Sequence, residues 1–378
     1  MSRAGVYIHI PFCTLKSLGS QFYSVEKREQ LIPKFVESII QEIKNSDIET
    51  LDWTIDTLFI GGGTPNLVKP ELIEKILCLI DKKYDLSKLN EATIEINPGE
   101  TPLEYLHDYI KIGINRISIL AQTFDPALLK SLKSLHTKND TINAYKNIRR
   151  AGFENVNIDL LYLIPGQTIQ NWEMDLNNVI DLEPEHISTY ALDFEMGTEL
   201  SSLVSKGMLP SPPIDLDANF FKMAHDNLSL GDYSPYEVSS FCKEGYSCKH
   251  NLHYWSIEPY LAFGPSAHGF DGKNRWHNIE SLDHYMNTVN MDRSPICHKE
   301  PLTEINITNE LVGFSMRMTN GLDLKKIPIA LREEYREKVM NVVNRYPDYF
   351  KISDGTISFN ENGLILSDQI IPEMLLLK

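Results

Sequence analysis

Cys13 closes the apolar run Val6-Tyr7-Ile8-His9-Ile10-Pro11-Phe12, so a thiol stands where a buried strand would end. Thiolates are the soft ligands that hold iron-sulfur clusters, although a lone cysteine binds none. A second run, Gly61-Gly62-Gly63-Thr64-Pro65, leaves backbone bare enough for close approach by a ligand. Glycine runs are more often tight turns than sites, but this one follows a β-rich segment and ends in Thr-Pro, which favours a site. Glu95, Asn97, Gln122 and Asp159 fall at the ends of three later β-rich segments. His250 lies in Cys248-Lys249-His250-Asn251-Leu252-His253-Tyr254-Trp255, and its imidazole could ligate a metal. By itself, one of 11 histidines beside Tyr and Trp is more often a hydrogen-bonded packing residue.

The elements that must position these groups alternate in type. β-rich runs at about 6–10, 57–60, 92–96, 116–119, 155–160 and 186–190 alternate with helical periodicity at about 26–44, 69–81, 102–112, 139–150 and 169–181. Gly113 and Gly152 stand where two of the helices should stop. Six βα units predict an α/β fold, a partial (βα)6 barrel open on one side, with reactive groups gathered at the strands' C-terminal ends. After His268 the pattern loosens, and 304–378 reads as helices followed by a small β element around 350–359. The expected division is a barrel with the His250 region at 1–270 and a small C-terminal α+β domain at 271–378.

Composition narrows the classes of function. At 378 residues and 42% hydrophobic, the chain can bury a large core and a smaller second one. Acidic residues outnumber basic ones 52 to 36, for a net charge of -16. That balance argues against nucleic acid as a partner and against an electrostatic membrane anchor. The five cysteines, Cys13, Cys78, Cys242, Cys248 and Cys297, are odd in number and widely spaced, which fits a reducing cytoplasm rather than a disulfide framework. Cys78, in an apolar helical run, is expected to be a small buried hydrophobe. The apolar start is too short to span a membrane and reads as a strand.

The segment opening at Cys13 resembles the radical-SAM signature C-x-x-x-C-x-x-C, whose three thiolates hold three irons of a [4Fe-4S] cluster while S-adenosylmethionine chelates the fourth. The second and third thiolate positions fall on Ser17 and Ser20. A serine hydroxyl stays protonated near neutral pH and ligates such a cluster poorly. The resemblance places Gly61, Gly62, Gly63, Thr64, Glu95, Gln122 and Asp159 around S-adenosylmethionine. It also implies an arginine for the carboxylate of S-adenosylmethionine where this chain has Ser134, and glycines where it has Leu120 and Leu163. Losses spread over four strand ends favour natural divergence over deliberate Cys→Ser replacement.

From His9 to about Leu324 the chain resembles HemW-type heme chaperones, which are related to oxygen-independent coproporphyrinogen III oxidase. Asn115-Arg116-Ile117-Ser118, Asn157-Ile158-Asp159, Pro165-Gly166-Gln167-Thr168, Pro184-Glu185-His186-Ile187-Ser188 and Gly197-Thr198 carry the likeness. Three features point to the chaperone rather than the oxidase: Phe22 replaces a fourth cysteine, the first strand begins almost at Met1, and Cys248 to Trp255 resembles the chaperone's H-N-x-x-Y-W motif. The resemblance implies heme as ligand with His250 as axial candidate and Tyr254 and Trp255 as an aromatic wall, His253, Cys248 and His268 ranking behind. It further implies an acceptor protein for the heme and leaves a homodimer open. Carriage of heme without S-adenosylmethionine chemistry is the first expectation. A radical-SAM porphyrinogen oxidase with unusual cluster ligands and a cofactor-free interaction protein are the alternatives.

Overall fold

The structure is a computed structural model that describes residues 2–376 apart from 19–21, 51, 100 and 195–197. Six parallel strands stand where the sequence places them: β1 Ser2–Ile10, β2 Trp53–Gly62, β3 Glu91–Ile96, β4 Arg116–Gln122, β5 Val156–Tyr162 and β6 His186–Ala191. Each pairs with its successor. The outer helices are α1 Ile32–Asn45, α2 Pro70–Tyr84, α3 Leu103–Lys111, α4 Lys138–Ala151 and α5 Ile169–Leu182.

Local sequence explains where these elements begin and end. Thr137 and Thr168 form capping boxes at the starts of α4 and α5, and Gly152, with φ +106°, closes α4 in the left-handed conformation. Helix α1 starts later than its periodicity suggests, because Val25–Glu26 is held as a short strand against Phe12–Cys13 and Pro33 sits in the first helical turn. Phe35, Val36, Ile39 and Ile43 of α1 face the sheet. Helix α2 turns Ile73, Ile76, Leu77 and Ile80 inward, which leaves Cys78 exposed rather than buried as the sequence suggested.

The strands alternate between two kinds of surface. Ala92, Ile94 and Ile96, then Ile117 and Ile119, then Val156, Ile158 and Leu160 belong to the apolar core beneath the helices. Intervening residues, among them Glu95, Arg116, Ser118, Gln122, Asn157, Asp159 and Ser188, line a cavity inside the barrel. The interior is therefore a ligand-sized space lined by both polar and aromatic side chains and not a second core.

The sheet does not stop at six strands. A seventh parallel strand, β7 Tyr260–Phe263, pairs with the free edge of β1, and β8 His268–Phe270, β9 Asn274–Asn278 and β10 Ile296–Pro301 continue it antiparallel. At the other end Ser240–Cys242 and Ser234–Pro235 pair beyond β6, giving a twelve-stranded sheet that does not close. A boundary at 270/271 thus falls inside the sheet. A separate core, with Val312, Met316, Tyr335, Val339, Ile357, Phe359 and Ile371, is built by helices Glu304–Arg317, Ile329–Arg345 and Ser367–Met374 around a three-stranded sheet. Among the described residues no helix is long and apolar enough to cross a membrane.

Candidate functional site

At the strands' C-terminal ends the barrel encloses about 860 Å³, within the range of small-molecule sites. The loop carrying Cys13, the glycine run, Glu95, Gln122, Asp159 and His250 all reach this one cavity. The glycine run works by close packing. A Cβ on Gly63 would lie 2.5 Å from the Phe12 carbonyl oxygen, and Gly62 has φ +120°, where side chains are strained. Gly63 N donates to Ile10 O at 2.8 Å and Thr64 N to Phe12 O at 2.7 Å, so the run is stitched to the end of β1. Asn97 Nδ2 donates to Thr64 Oγ1 at 2.8 Å.

Glu95 accepts from Gly62 N at 3.0 Å. Burial, reinforced by the nearby charge of Asp159, raises its carboxyl to about 8, so it is largely protonated at neutral pH. Asp159 accepts from Ser118 Oγ and Asn157 Nδ2, both at 2.8 Å, and burial raises its pKa despite those bonds. His9 is held from both sides: Nε2 donates to Tyr23 O at 2.9 Å, which leaves Nδ1 to accept from Tyr7 OH at 3.0 Å. Burial lowers its pKa to about 4 and keeps it neutral.

Two positions where the chain departs from the family pattern, Ser17 and Ser134, are joined through Gln122. Gln122 Nε2 donates to Ser17 Oγ at 2.9 Å, Ser17 Oγ donates to Leu132 O at 3.3 Å, and Ser134 Oγ donates to Gln122 Oε1. Gln122 thereby ties the Ser17 loop to Ser134, the position expected to hold a carboxylate-binding arginine. Leu120 lines the cavity, and Leu163 has φ +61°, a conformation that favours glycine by roughly 1–2 kcal/mol. Ser20 and Gly197 lie outside the described residues.

A [4Fe-4S] cluster does not fit this donor set. Cys13 is 4% exposed, and burial raises its pKa, opposite to what a ligating thiolate needs. Ser17 contributes a hydroxyl already engaged with Gln122. Among the described residues no three His, Cys, Asp or Glu side chains are arranged to hold a metal ion.

His250 is placed on helix α6 Lys249–Trp255, beneath the cavity. It is fully buried; Nδ1 is 2.9 Å from Thr57 Oγ1 and Nε2 is 2.7 Å from Tyr254 OH. Its ring stacks on Phe59 at 5.3 Å and packs against Gly5, where a Cβ would lie 2.9 Å from Cε1. Burial depresses its pKa well below the usual histidine range. Both ring nitrogens are thus occupied by hydroxyls of the protein. Trp255 packs edge-on against Phe314 instead of walling the cavity, whereas Tyr254 does line it. His253 lies between Asp56 and Glu258, and Cys248 is buried against Glu91.

His268, an exposed residue in β8, lines the cavity rim and stacks on His277 at 5.1 Å, which in turn packs at a tilt against His298 at 5.6 Å. Burial of the ring and the neighbouring His277 and Arg275 lower its pKa and favour the neutral, ligating form. Sequence reasoning passed over Arg116 on the cavity floor, which had served only as part of a motif. The signal was available: residues 116, 118, 120 and 122 alternate with apolar 117, 119 and 121, and 116 heads the cavity-facing set.

Comparison with known proteins agrees with this architecture. The Radical SAM superfamily model matches residues 7–179. The chain is 30% identical to the heme chaperone HemW of Lactococcus lactis, covering 98% of this chain and 97% of that one, and 32% identical to the heme chaperone HemW of Bacillus subtilis, covering 96% and 95%. The structure of the coproporphyrinogen III oxidase HemN from Escherichia coli, a radical-SAM enzyme, superposes with a TM-score of 0.85 at 19% identity over 99% of this chain and 90% of that one, which is a likeness of fold. Near-complete coverage at this identity, on a barrel whose strand ends carry the matching motifs, means that the chain belongs to the HemW heme-chaperone family of the radical-SAM superfamily.

Proposed function

We propose that this protein binds heme in the barrel cavity and passes it to an acceptor protein in the cytoplasm, without using a cluster or S-adenosylmethionine for catalysis. The observation that carries the reading is a cavity of about 860 Å³, lined by Tyr7, Phe59, Tyr190 and Tyr254 with His268 at its rim, in a chain with serine at two of the three cluster cysteine positions. Flat aromatic faces suit a porphyrin, and the exposed rim histidine suits its iron. The names of the relatives support the same ligand. His250, with both nitrogens engaged, would have to surrender its bond to Tyr254 before ligating iron; among the described residues His268 has no such bond to break. Its place at the rim also suits a ligand that must leave again.

Titrating the purified protein with heme and recording its absorbance tests this reading. A saturable spectral shift, weakened about tenfold or more by loss of an axial imidazole, is expected. The weakening should appear in His268→Ala, whereas His250→Ala should act mainly through stability. A dominant loss in His250→Ala at unchanged fold would return the axial role to His250, and no saturable shift in the parent protein would sink the heme reading.

A further inference from the structure

Arg116 is the first residue of β4, six positions and so roughly 20 Å of strand below Gln122 at the mouth. It is 1% exposed, yet it lines the cavity, and its Nε has no hydrogen-bond partner among the described residues. Its strand neighbour in register, Thr93, is also buried with an unpartnered Oγ1. Two unmet polar groups therefore sit side by side at the base of the barrel. A buried guanidinium Nε–H without a partner is uncommon in a folded protein, which makes it one of the least expected features of the fold.

The surrounding acids do not relieve it. Glu91 accepts from Cys248 Sγ at 3.5 Å and from the backbone N–H groups of Lys249 and His250, both at 3.0 Å, so its oxygens are committed to the start of α6. Asp159 is committed to Ser118 and Asn157. Burial opposes the charge on Arg116, but these groups, acting through space, keep the guanidinium protonated. The result is a cation with a buried, unpartnered Nε–H on its planar guanidinium, in a cavity that also has aromatic walls. A guanidinium fork matches a carboxylate in geometry and charge.

We propose that Arg116 is the receptor for a carboxylate on the ligand that occupies this cavity. Resting on the heme reading for the identity of that ligand, the carboxylate is a propionate of the tetrapyrrole. The aromatic side chains Tyr7, Phe59 and Tyr254 then flank the body of the ligand while Arg116 fixes its orientation from below, with Thr93 Oγ1 beside it. This assigns the buried arginine a binding role distinct from any contact to the metal.

The test compares iron protoporphyrin with its dimethyl ester, both in dilute detergent, against the parent protein and Arg116→Met. Methionine fills a similar volume without charge, and urea midpoints and near-ultraviolet circular dichroism report whether the variant folds. Arg116→Lys, which keeps a cation but loses the fork, is the second variant should Arg116→Met not fold. The parent should prefer the free acid by about tenfold or more, the preference should fall to about twofold in Arg116→Met, and Arg116→Lys should lie between. An acid-over-ester preference that is the same in the parent and in a folded variant overturns the assignment of Arg116 while leaving heme binding intact. Absence of saturable binding of either porphyrin to the parent overturns the heme reading and the propionate with it.

Discussion

Replacing Glu95 with glutamine should make the protein's stability less dependent on pH in a defined direction. The side chain is buried in the barrel, where burial and Asp159 raise its pKa from 4.5 to about 8. Because the folded value lies above the unfolded one, its contribution to stability is fully present below pH 4.5 and is lost as pH rises toward 8. At about 1.4 kcal/mol per pH unit, that interval corresponds to roughly 3–5 kcal/mol. Glutamine keeps an oxygen to accept from Gly62 N, now at 3.0 Å, and cannot ionise. Glu95→Gln should therefore match the parent near pH 4.5, exceed it increasingly with rising pH, and hold a constant advantage above pH 8. Urea unfolding of both proteins at pH 5, 6.5 and 8.5 measures the difference, in which titrating groups not coupled to Glu95 cancel. A difference that does not change with pH would refute the argument that this carboxyl is held neutral.

Other expectations follow from the same geometry. Gly5→Ala should cost about 1–3 kcal/mol, because the new Cβ would lie 2.9 Å from His250 Cε1 and 3.0 Å from Thr57 Oγ1; an unchanged urea midpoint would contradict that packing. Ser17→Cys combined with Ser20→Cys should restore three thiol positions with Cys13, so that anaerobic addition of iron and sulfide yields cluster absorbance in the double variant and none in the parent. A cluster in the parent would overturn the fit argument. His253→Gln should destabilise most at acidic pH. Burial opposes the His253 cation, but Asp56 and Glu258 outweigh it and raise its pKa, so its stabilisation is present below about pH 6.5 and lost as pH climbs past the folded value. Melting curves at pH 5.5 and 9 that show equal losses would count against that ion network.

The six barrel strands were readable because each is a short β-rich run set off by loops or helices. Their interior was readable in principle as well: Glu91, Thr93 and Glu95, then Arg116, Ser118 and Gln122, then Asn157 and Asp159 alternate with apolar residues. A fully packed parallel sheet would show continuous apolar runs, so this alternation announces a hollow interior that carries polar side chains. Strand β7 escaped notice because four apolar residues after Pro259 carry no periodicity of their own, and it pairs with β1 across more than 250 residues of chain. Strands β8 to β10 contain His, Asn, Lys and Glu, poor strand formers whose pairing is settled by neighbours. His250 was conspicuous in sequence for the aromatic residue four positions on, yet that spacing puts Tyr254 on the same helix face, where its hydroxyl occupies Nε2.

The unclosed sheet has a mechanical consequence. A cylinder of strands fixes its own circumference, since widening it anywhere must break a ladder somewhere. An arc of twelve strands whose edges at Ser234–Pro235 and Ile296–Pro301 pair no further among the described residues carries no such constraint, since its radius follows from the twist between neighbours. Proline at one edge and exposed Lys299 and Glu300 at the other discourage foreign strands from stiffening it. The mouth of the cavity is thus bounded by an arc and not by a ring, so its width follows from the twist between neighbouring strands, with no closed circumference to conserve.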